Sequence, residues 1–332
     1  MEENFNNTRN LIIKVIHIYF LIILLIFIHS PAFPQSPNTS NCAKGYLCFV
    51  DSKKPLAELK NKDIQLYQSY SRARLSYPLA PSQTIKYGPD NLQAFDIYTP
   101  QGRKPAPVIF FIHSGGEDKI QVQQAVRSWL SLGYTVVAIN HRSIPENKFS
   151  EQIGDCFLAL KWVTDNIGKY GGDGNRIAIT GLSVGAYMTT ILVTETKWQK
   201  KYKIDMRKVK CWIPMSGFYS AELKDNYLTP IIADYLKTIR DQAQNDASPI
   251  NHVTGREPPS LIIHGSDDWA VPRTNASNLY NKLKESGSVT QLKILKGYYH
   301  TTIFMGYDTP GHVPTMLIKK FLAKYLPTKE NH

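Results

Sequence analysis

The stretch Ile177-Ala178-Ile179-Thr180-Gly181-Leu182-Ser183-Val184-Gly185-Ala186 runs from four residues that favour a β-strand into a Gly-x-Ser-x-Gly motif. A helical pattern follows, starting at Val184. A strand, a very sharp turn and a helix are the context that exposes a serine hydroxyl above the edge of an α/β sheet. Glycine is favoured at Gly181 and Gly185 because the strand and the helix pass close to the serine there. We therefore predict that Ser183 is a nucleophile on a strained turn, the alternative being a structural glycine turn.

The chain on both sides of this stretch alternates between predicted strands and predicted helices. The predicted strands are Gln83–Tyr87, Ala94–Tyr98, Val108–Ile112, Thr135–Ile139, Ile177–Thr180, Val209–Met215, Ser260–His264 and Gln291–Leu295. The predicted helices are Leu56–Tyr70, Gln121–Leu132, Glu151–Asn166, Val184–Thr194, Thr274–Ser286 and Pro314–Leu326. Repeated β–α units fold into a mostly parallel sheet with helices on both faces, so we expect an α/β fold. The segment 217–257 interrupts the alternation and predicts a small cap.

A serine hydroxyl needs a base to take its proton and a carboxylate to orient that base. Two adjacent aspartates follow the strand at 260–264, and of these Asp268 is the preferred acid and Asp267 the alternative. His300 follows the strand at 291–295 and is the preferred base, because His312 lies farther along, just before the last helix. His264, at the end of its strand, is expected to be structural.

An oxyanion needs donors from a second loop. The sequence His113-Ser114-Gly115-Gly116 follows the apolar strand at 108–112. Glycines let backbone N–H groups turn toward a substrate oxygen. We therefore predict that Gly115 and Gly116 form an oxyanion hole together with the N–H group of Val184. A plain glycine turn is the alternative.

Taken together, these motifs resemble those of an α/β-hydrolase of the carboxylesterase group, close to the hormone-sensitive-lipase-like and bacterial acetyl- or feruloyl-esterase-like proteins. The resemblance covers about residues 83–326. It rests on His113-Ser114-Gly115-Gly116, Pro145-Glu146, Tyr170-Gly171-Gly172-Asp173, Gly181–Gly185, Ala247-Ser248-Pro249-Ile250, the Asp268 segment and the His300 turn. It implies Ser183 as nucleophile, His300 as base and Asp268 as orienting acid, in a hydrolase domain of residues 77–332 with its cap at about 217–257.

The predicted activity is hydrolysis of a small or carbohydrate-linked ester through an acyl-enzyme. Because this fold also hosts other hydrolases, an amidase such as an arylformamidase, or a small-peptide serine peptidase, is an alternative. A non-catalytic binding protein of the same fold is a further alternative. The mechanism requires no metal and no organic cofactor, and no His/Cys spacing suggests zinc. The expected partner is a small-molecule ester, and the sequence leaves the oligomeric state open.

Residues 1–32 have the pattern of a signal peptide or a membrane anchor. A charged start that includes Arg9 and Lys14 precedes an apolar run. Small residues then precede a possible cleavage site after Ala32. If the run extends over residues 11–28, it approaches the length of a membrane span, so membrane association is possible. We therefore expect an exported protein, periplasmic or secreted, with cleavage favoured over anchoring. Residues 33–76 form an N-terminal extension in which the sequence indicates no chemistry.

The composition is that of a globular protein, with 42% hydrophobic and 20% charged residues in a chain of 332. The formal net charge of +12 would suit an anionic partner or serve solubility. No nucleic-acid motif accompanies it, so no nucleic-acid partner is expected. Cys42 and Cys48 lie close enough in the extension to form a disulfide in an oxidising compartment, whereas Cys156 and Cys211 are predicted core residues.

Overall fold

Each strand that the sequence pattern predicts is present in the computed structural model, which describes residues 56–76, 78–102, 105–221, 230–243, 247–305, 307 and 311–328. The strands are β1 (Gln83–Lys86), β2 (Ala94–Tyr98), β3 (Ala106–Ile112), β4 (Thr135–Ile139), β5 (Gly172–Leu182), β6 (Val209–Met215), β7 (Ser260–Gly265) and β8 (Thr290–Leu295). The strand that leads into the serine motif is therefore longer than the predicted 177–180, and it begins at Gly172.

The strands form an eight-stranded sheet in the order β1-β2-β4-β3-β5-β6-β7-β8. β1 pairs antiparallel with β2, and β2 pairs antiparallel with β4. All the pairs from β4 to β8 are parallel. The register pairs Ile112 with Gly181 and Leu182 with Met215, so β3, β5 and β6 end at one level. The loops that follow these strands therefore meet at one edge, where ligands bind in open α/β sheets.

Helices cover both faces of this sheet, as the α/β pattern predicts. They are α1 (Leu56–Ser76), α2 (Val126–Ser131), α3 (Phe149–Asn166), α4 (Val184–Thr194), α5 (Thr196–Lys201), α6 (Pro230–Ala243), α7 (Thr274–Glu285) and α8 (Val313–Tyr325). Short 3₁₀ turns occupy Lys119–Gln124, Ile167–Tyr170, Met206–Lys208 and Pro249–His252. The sheet with its helices has the α/β-hydrolase architecture that the motifs predict.

The prediction of one continuous helix over Gln121–Leu132 is wrong. The segment consists of the 3₁₀ turn Lys119–Gln124 and the separate helix α2. Asp118 starts the turn by accepting a hydrogen bond from the N–H group of Ile120. Ala125 then leaves the helical region, with φ −130° and ψ −17°, and separates the two pieces.

The core lies in two layers, one on each face of the sheet. All seven residues of β3 are buried, which explains why its sequence is apolar throughout. Val108, Phe110 and Ile112 pack into one layer, whereas Ile109 and Phe111 pack into the other. A strand in the middle of a parallel sheet is covered on both faces, so it has no polar face to show.

The segment predicted as a cap contributes the helix α6. Phe218 is fully buried and stacks on Tyr187, with ring centroids 4.8 Å apart. Tyr235 of α6 packs edge-on against Phe218 and donates a hydrogen bond to Gln152 at 2.8 Å. These aromatic side chains therefore pack against the hydrolase body.

The predictions for residues 1–55 lie outside the described residues. They include the signal peptide or anchor, the apolar run at 11–28, and the Cys42–Cys48 disulfide. Among the described parts of the chain, no helix has the length and apolar character needed to cross a membrane. Cys156 and Cys211 are buried free thiols, as predicted.

Candidate active site

Ser183 lies in the sharp turn between β5 and α4. Its backbone has φ 56° and ψ −117°, a strained conformation for a residue with a side chain. A Cβ atom at Gly181 would lie 2.6 Å from the carbonyl carbon of Gly185, and a Cβ atom at Gly185 would overlap the carbonyl oxygen of Ile112. The two glycines are therefore required by close backbone contacts, as the motif predicts.

The turn is tied to the neighbouring strands by backbone hydrogen bonds. The Ser183 N–H group donates to the Met215 carbonyl at the end of β6, at 2.9 Å. The Ser216 N–H group donates in turn to the Ile263 carbonyl of β7, at 2.9 Å. The serine turn and the loop that follows β7 are thus held at the same sheet edge.

His300 and Asp268, predicted as base and acid, are in direct contact. The Nδ1 atom of His300 lies 2.9 Å from Oδ2 and 3.0 Å from Oδ1 of Asp268. Both side chains are buried, and the His300 side chain keeps 10% exposure. Since Nδ1 faces the carboxylate, Nε2 is the ring atom left to exchange a proton with a substrate or a serine.

Three further groups orient the Asp268 carboxylate. The N–H groups of Ala270 and Val271 each donate to its Oδ1 at 2.9 Å. His264 places Nε2 3.1 Å from its Oδ2, and the same nitrogen lies 2.9 Å from the Val271 carbonyl. The expectation that His264 is only a structural strand-end residue is therefore too narrow, because its ring contacts the predicted acid. The strand-end position was the only sequence signal.

Asp267, the alternative acid, and the more distant His312 have other partners. Asp267 accepts a hydrogen bond from the Ser266 hydroxyl at 2.6 Å. His312 contacts the Thr315 hydroxyl at 2.7 Å through Nδ1 and the Thr302 carbonyl at 3.1 Å through Nε2. Both residues therefore bond to neighbouring loop and helix groups, whereas Asp268 and His300 bond to each other.

The contact between Asp268 and His300 shifts the pKa of both groups. Burial acts to raise the pKa of Asp268, but the charges and hydrogen bonds of His300 and His264 outweigh it and hold this pKa well below its ordinary value. Burial acts to lower the pKa of His300, but the Asp268 carboxylate outweighs it and raises this pKa above its ordinary value. The pair therefore stabilises an imidazolium, the form that a general base reaches when it takes a proton.

The predicted oxyanion loop lies against the serine turn. A Cβ atom at Gly115 would lie 2.9 Å from Cγ2 of Val184, so a side chain there would require the Val184 side chain at the start of α4 to shift. Gly116 has φ +74°, in the left-handed region that glycine favours. Both glycines are exposed.

Gln121 fixes this loop, a role that the sequence analysis missed. Its Oε1 accepts from the Ser114 N–H group at 2.9 Å, and its Nε2 donates to the Ser114 hydroxyl at 2.8 Å. Gln121 itself is buried. Ser114, where the related glycine-rich loop has a glycine, is thus held through both its backbone and its hydroxyl. No sequence signal marks a glutamine seven residues later as its partner.

Two buried imidazoles lie behind the loop. The rings of His113 and His141 stack in parallel, with centroids 4.4 Å apart. Burial lowers the pKa of His113 to about 4 and, together with the His113 ring, lowers the pKa of His141 to about 3. Both rings are therefore neutral at pH 7 and add no charge beside the loop.

The structure thus brings the predicted acid and base into contact and places the serine turn and the oxyanion loop against each other at the same sheet edge. Within the described residues, no hydrogen bond joins the Ser183 hydroxyl to His300. Such a bond is often long in a hydrolase without substrate and shortens when substrate binds.

Comparison with known families matches residues 95–283, more than half of the chain, to the BD-FAE model. The chain belongs to the BD-FAE family. The matched residues include Ser183 and Asp268 but end before His300. The BD-FAE match therefore covers the serine turn, the loop at 113–116 and Asp268, the predicted acid, but not the predicted base.

This BD-FAE chain is similar to a probable carboxylic ester hydrolase, LipM, of Mycobacterium tuberculosis, with 28% identity over 68% of this chain and 56% of LipM. It spans a little over half the length of the curated relatives it matches. Its fold is similar to esterase B of Lactobacillus rhamnosis, with a TM-score of 0.65 and 18% identity over 82% of this chain and 95% of that one. The fold is also similar to that of a truncated carbohydrate esterase from gut microbiota, with a TM-score of 0.64 and 22% identity over 75% of this chain and 98% of that one.

Proposed function

We propose that this chain is a serine carboxylic-ester hydrolase that works through an acyl-enzyme. The observation that carries the proposal is the contact between His300 Nδ1 and the buried Asp268 carboxylate, at the sheet edge that also holds Ser183 in a strained turn. Membership of the BD-FAE family and the similarity to LipM support the same reaction class.

In the acylation step, the Ser183 oxygen attacks the ester carbonyl carbon and its proton moves to Nε2 of His300. The carbonyl oxygen becomes an oxyanion, which accepts hydrogen bonds from the N–H groups of Gly115, Gly116 and Val184. The tetrahedral intermediate then collapses, the C–O bond to the alcohol breaks, and His300 returns its proton to the leaving alkoxide. The product is an acyl group on Ser183 and a free alcohol.

In the deacylation step, a water molecule gives a proton to His300 and attacks the acyl carbon. The same N–H groups stabilise the second oxyanion. The bond between the acyl carbon and the Ser183 oxygen then breaks, and the proton on His300 returns to that oxygen. Throughout, Asp268 stays ionised, orients the ring and stabilises the imidazolium.

The proposed substrate class is a small or carbohydrate-linked ester. The exposed Gly115 and Gly116 support a site that is open to solvent at the oxyanion loop. The fold neighbour described as a carbohydrate esterase supports testing sugar esters beside simple ones.

The test is pre-steady-state kinetics with a chromogenic short-chain ester, followed by a panel of acetyl, butyryl, feruloyl and formamide substrates. We expect a burst of alcohol equal to the enzyme concentration, and faster turnover of esters than of matched amides. Faster turnover of the amides would favour the alternative hypothesis of an amidase. No turnover of any member, with intact folding, would favour a binding protein of the same fold.

We also propose that residues 1–32 direct export, on the basis of their charged start, apolar run and small residues. Expression with the native N-terminus, fractionation and N-terminal mass analysis test this. A protein outside the cytoplasm that starts after Ala32 is the expected result. An uncut chain in the membrane fraction would indicate an anchor instead, and an uncut chain in the cytoplasm would contradict export.

A further inference from the structure

The helix α1, in the extension to which the sequence assigned no chemistry, reaches the candidate site through one buried carboxylate. Asp63 is 1% exposed and Leu59, one turn earlier, is 2% exposed, whereas Glu58 and Lys62 on the same helix are exposed. Lys60 lies over the ring of Trp269, 5.6 Å from its centroid. One face of α1 therefore packs on the loop that carries the predicted acid.

The Asp63 carboxylate bridges the acid loop and the base loop. Its Oδ2 accepts from the indole N–H group of Trp269 at 2.7 Å and from the Thr301 N–H group at 3.2 Å. Its Oδ1 lies 2.6 Å from the Thr301 hydroxyl. Trp269 directly follows Asp268 in the chain, and Thr301 directly follows His300. A single side chain thus bonds to the neighbours of both members of the pair.

The chemistry of these partners requires an acceptor at position 63. An indole N–H group and a backbone N–H group can only donate, so the atom that faces them must be an oxygen. A buried carboxylate is costly unless its oxygens are hydrogen-bonded, and here both oxygens are. The Asp63 carboxylate therefore forms a buried, hydrogen-bonded link between the two loops rather than an incidental surface contact.

We propose that Asp63 is a positioning residue for the hydrolase reaction, which holds the acid loop and the base loop in the register that lets Asp268 orient His300. This inference rests on the proposed function, because it assigns a role at the same site. It places α1 within the functional unit, although α1 precedes the first strand of the hydrolase domain.

The charge of Asp63 acts together with its hydrogen bonds. Among the residues that the structure describes, the charged groups that act on His300 are Asp268, from the loop after β7, and Asp63, from α1. His264 contacts Asp268, and Lys60 lies over Trp269, whose ring packs edge-on to His300 at 6.4 Å. A negative charge near an imidazole favours its protonated form, so removal of the Asp63 charge should lower the pKa of His300.

Two substitutions separate position from charge. Asp63→Asn keeps an oxygen for the two N–H donors and can donate to the Thr301 hydroxyl, so it preserves the bridge without the charge. Asp63→Ala removes both. Glu58→Gln is the matched control, since it removes an exposed carboxylate from the same helix. The measurements are kcat and KM for a chromogenic ester between about pH 5 and about pH 9, with the thermal midpoint of each variant.

We expect Asp63→Ala to lower kcat roughly 10- to 100-fold with a much smaller change in KM, because displaced catalytic groups affect the reacting geometry more than binding. Asp63→Asn should keep most of the kcat at high pH and move the acidic limb of kcat/KM down, on the order of 0.5 pH unit. Glu58→Gln should match the wild type in both quantities.

An Asp63→Ala protein that loses thermal stability but keeps its kcat would overturn the proposal, since a merely structural contact behaves in that way. If this variant does not fold, Asp63→Asn decides, and an acidic limb identical to that of the wild type would overturn it. A wild-type protein without ester turnover would refute the proposed function instead, so the two failures are distinguishable.

Discussion

Two neighbouring carboxylates, Asp267 and Asp268, have different partners. Asp268 is buried and bonds to two imidazoles and two backbone N–H groups. Asp267 accepts from the Ser266 hydroxyl, while its own N–H group donates to the Tyr298 carbonyl. Only Asp268 is placed to orient a base, so the two positions form a matched pair for mutation.

We predict that Asp268→Asn lowers kcat roughly 10³- to 10⁴-fold, because an amide cannot stabilise the imidazolium and can hold the ring in the wrong tautomer. Asp267→Asn should keep kcat close to that of the wild type. Steady-state kinetics on a chromogenic ester would check both, with circular dichroism to verify folding. Equal losses from the two variants would contradict the assignment.

Gln121 offers a second test at the scale of one side chain. Gln121→Ala leaves the Ser114 N–H group without its acceptor and frees the oxyanion loop to move. We expect kcat to fall about tenfold or more, since an intact oxyanion donor supplies roughly 10²- to 10³-fold. Ser114→Ala removes only the hydroxyl and keeps the N–H bond, so its kcat should fall much less. A reversed order of the two losses would show that the loop is held in another way.

The sequence predicted the nucleophile turn, the acid and the base, because each follows a strand with a recognisable pattern. It could not predict Gln121 or Asp63. A hydrogen bond from the Thr301 hydroxyl to the Asp63 carboxylate joins positions 238 residues apart. Nothing in an ordinary helix sequence identifies the side chain that will be buried against a distant loop.

Among the secondary-structure elements, the close backbone contacts between β3, β5 and α4 fix the serine turn. The backbone of α4 starts so close to the end of β3 that Gly185 leaves no room for a side chain beside the Ile112 and His113 carbonyl oxygens. Backbone atoms cannot move aside as the end of a flexible side chain can.

We therefore predict that Gly185→Ala lowers the free energy of unfolding by about 1–3 kcal/mol and also abolishes most activity, because α4 must shift away from β3. Gly168→Ala is the matched control, since a Cβ atom at Gly168 meets nothing within 4 Å. Denaturant unfolding of both variants measures this. A Gly185→Ala protein with wild-type stability would contradict the close packing.

Most element boundaries could be predicted because buried strands read as apolar runs and helices as repeated apolar spacing. The segment 121–132 could not. Its apolar spacing fits one helix, but the 3₁₀ turn stops at Ala125 and turns Gln121 toward Ser114. Tertiary hydrogen bonds of this kind override local helical preference, and they are not visible in the local pattern.

At the scale of the whole molecule, the order of the strands explains how distant residues form one site. The loops after β3, β5, β7 and β8 carry the residues proposed as oxyanion glycines, nucleophile, acid and base, and parallel strands bring these loops to one edge. α1 adds a contact to this edge from outside the sheet, through Asp63. The edge that holds the site is therefore contacted by α1 as well as formed by the sheet.

In the proposed mechanism, Ser183 is a nucleophile that His300 activates. The most direct measurement is labelling of the full chain with a fluorophosphonate, followed by peptide mapping, for the wild type, Ser183→Ala and His300→Ala. We predict one adduct per chain on the peptide that contains Ser183, no adduct in Ser183→Ala and strongly slowed labelling in His300→Ala. A folded wild-type protein that stays unlabelled, or an adduct that persists in Ser183→Ala, would contradict the role of Ser183 as the nucleophile.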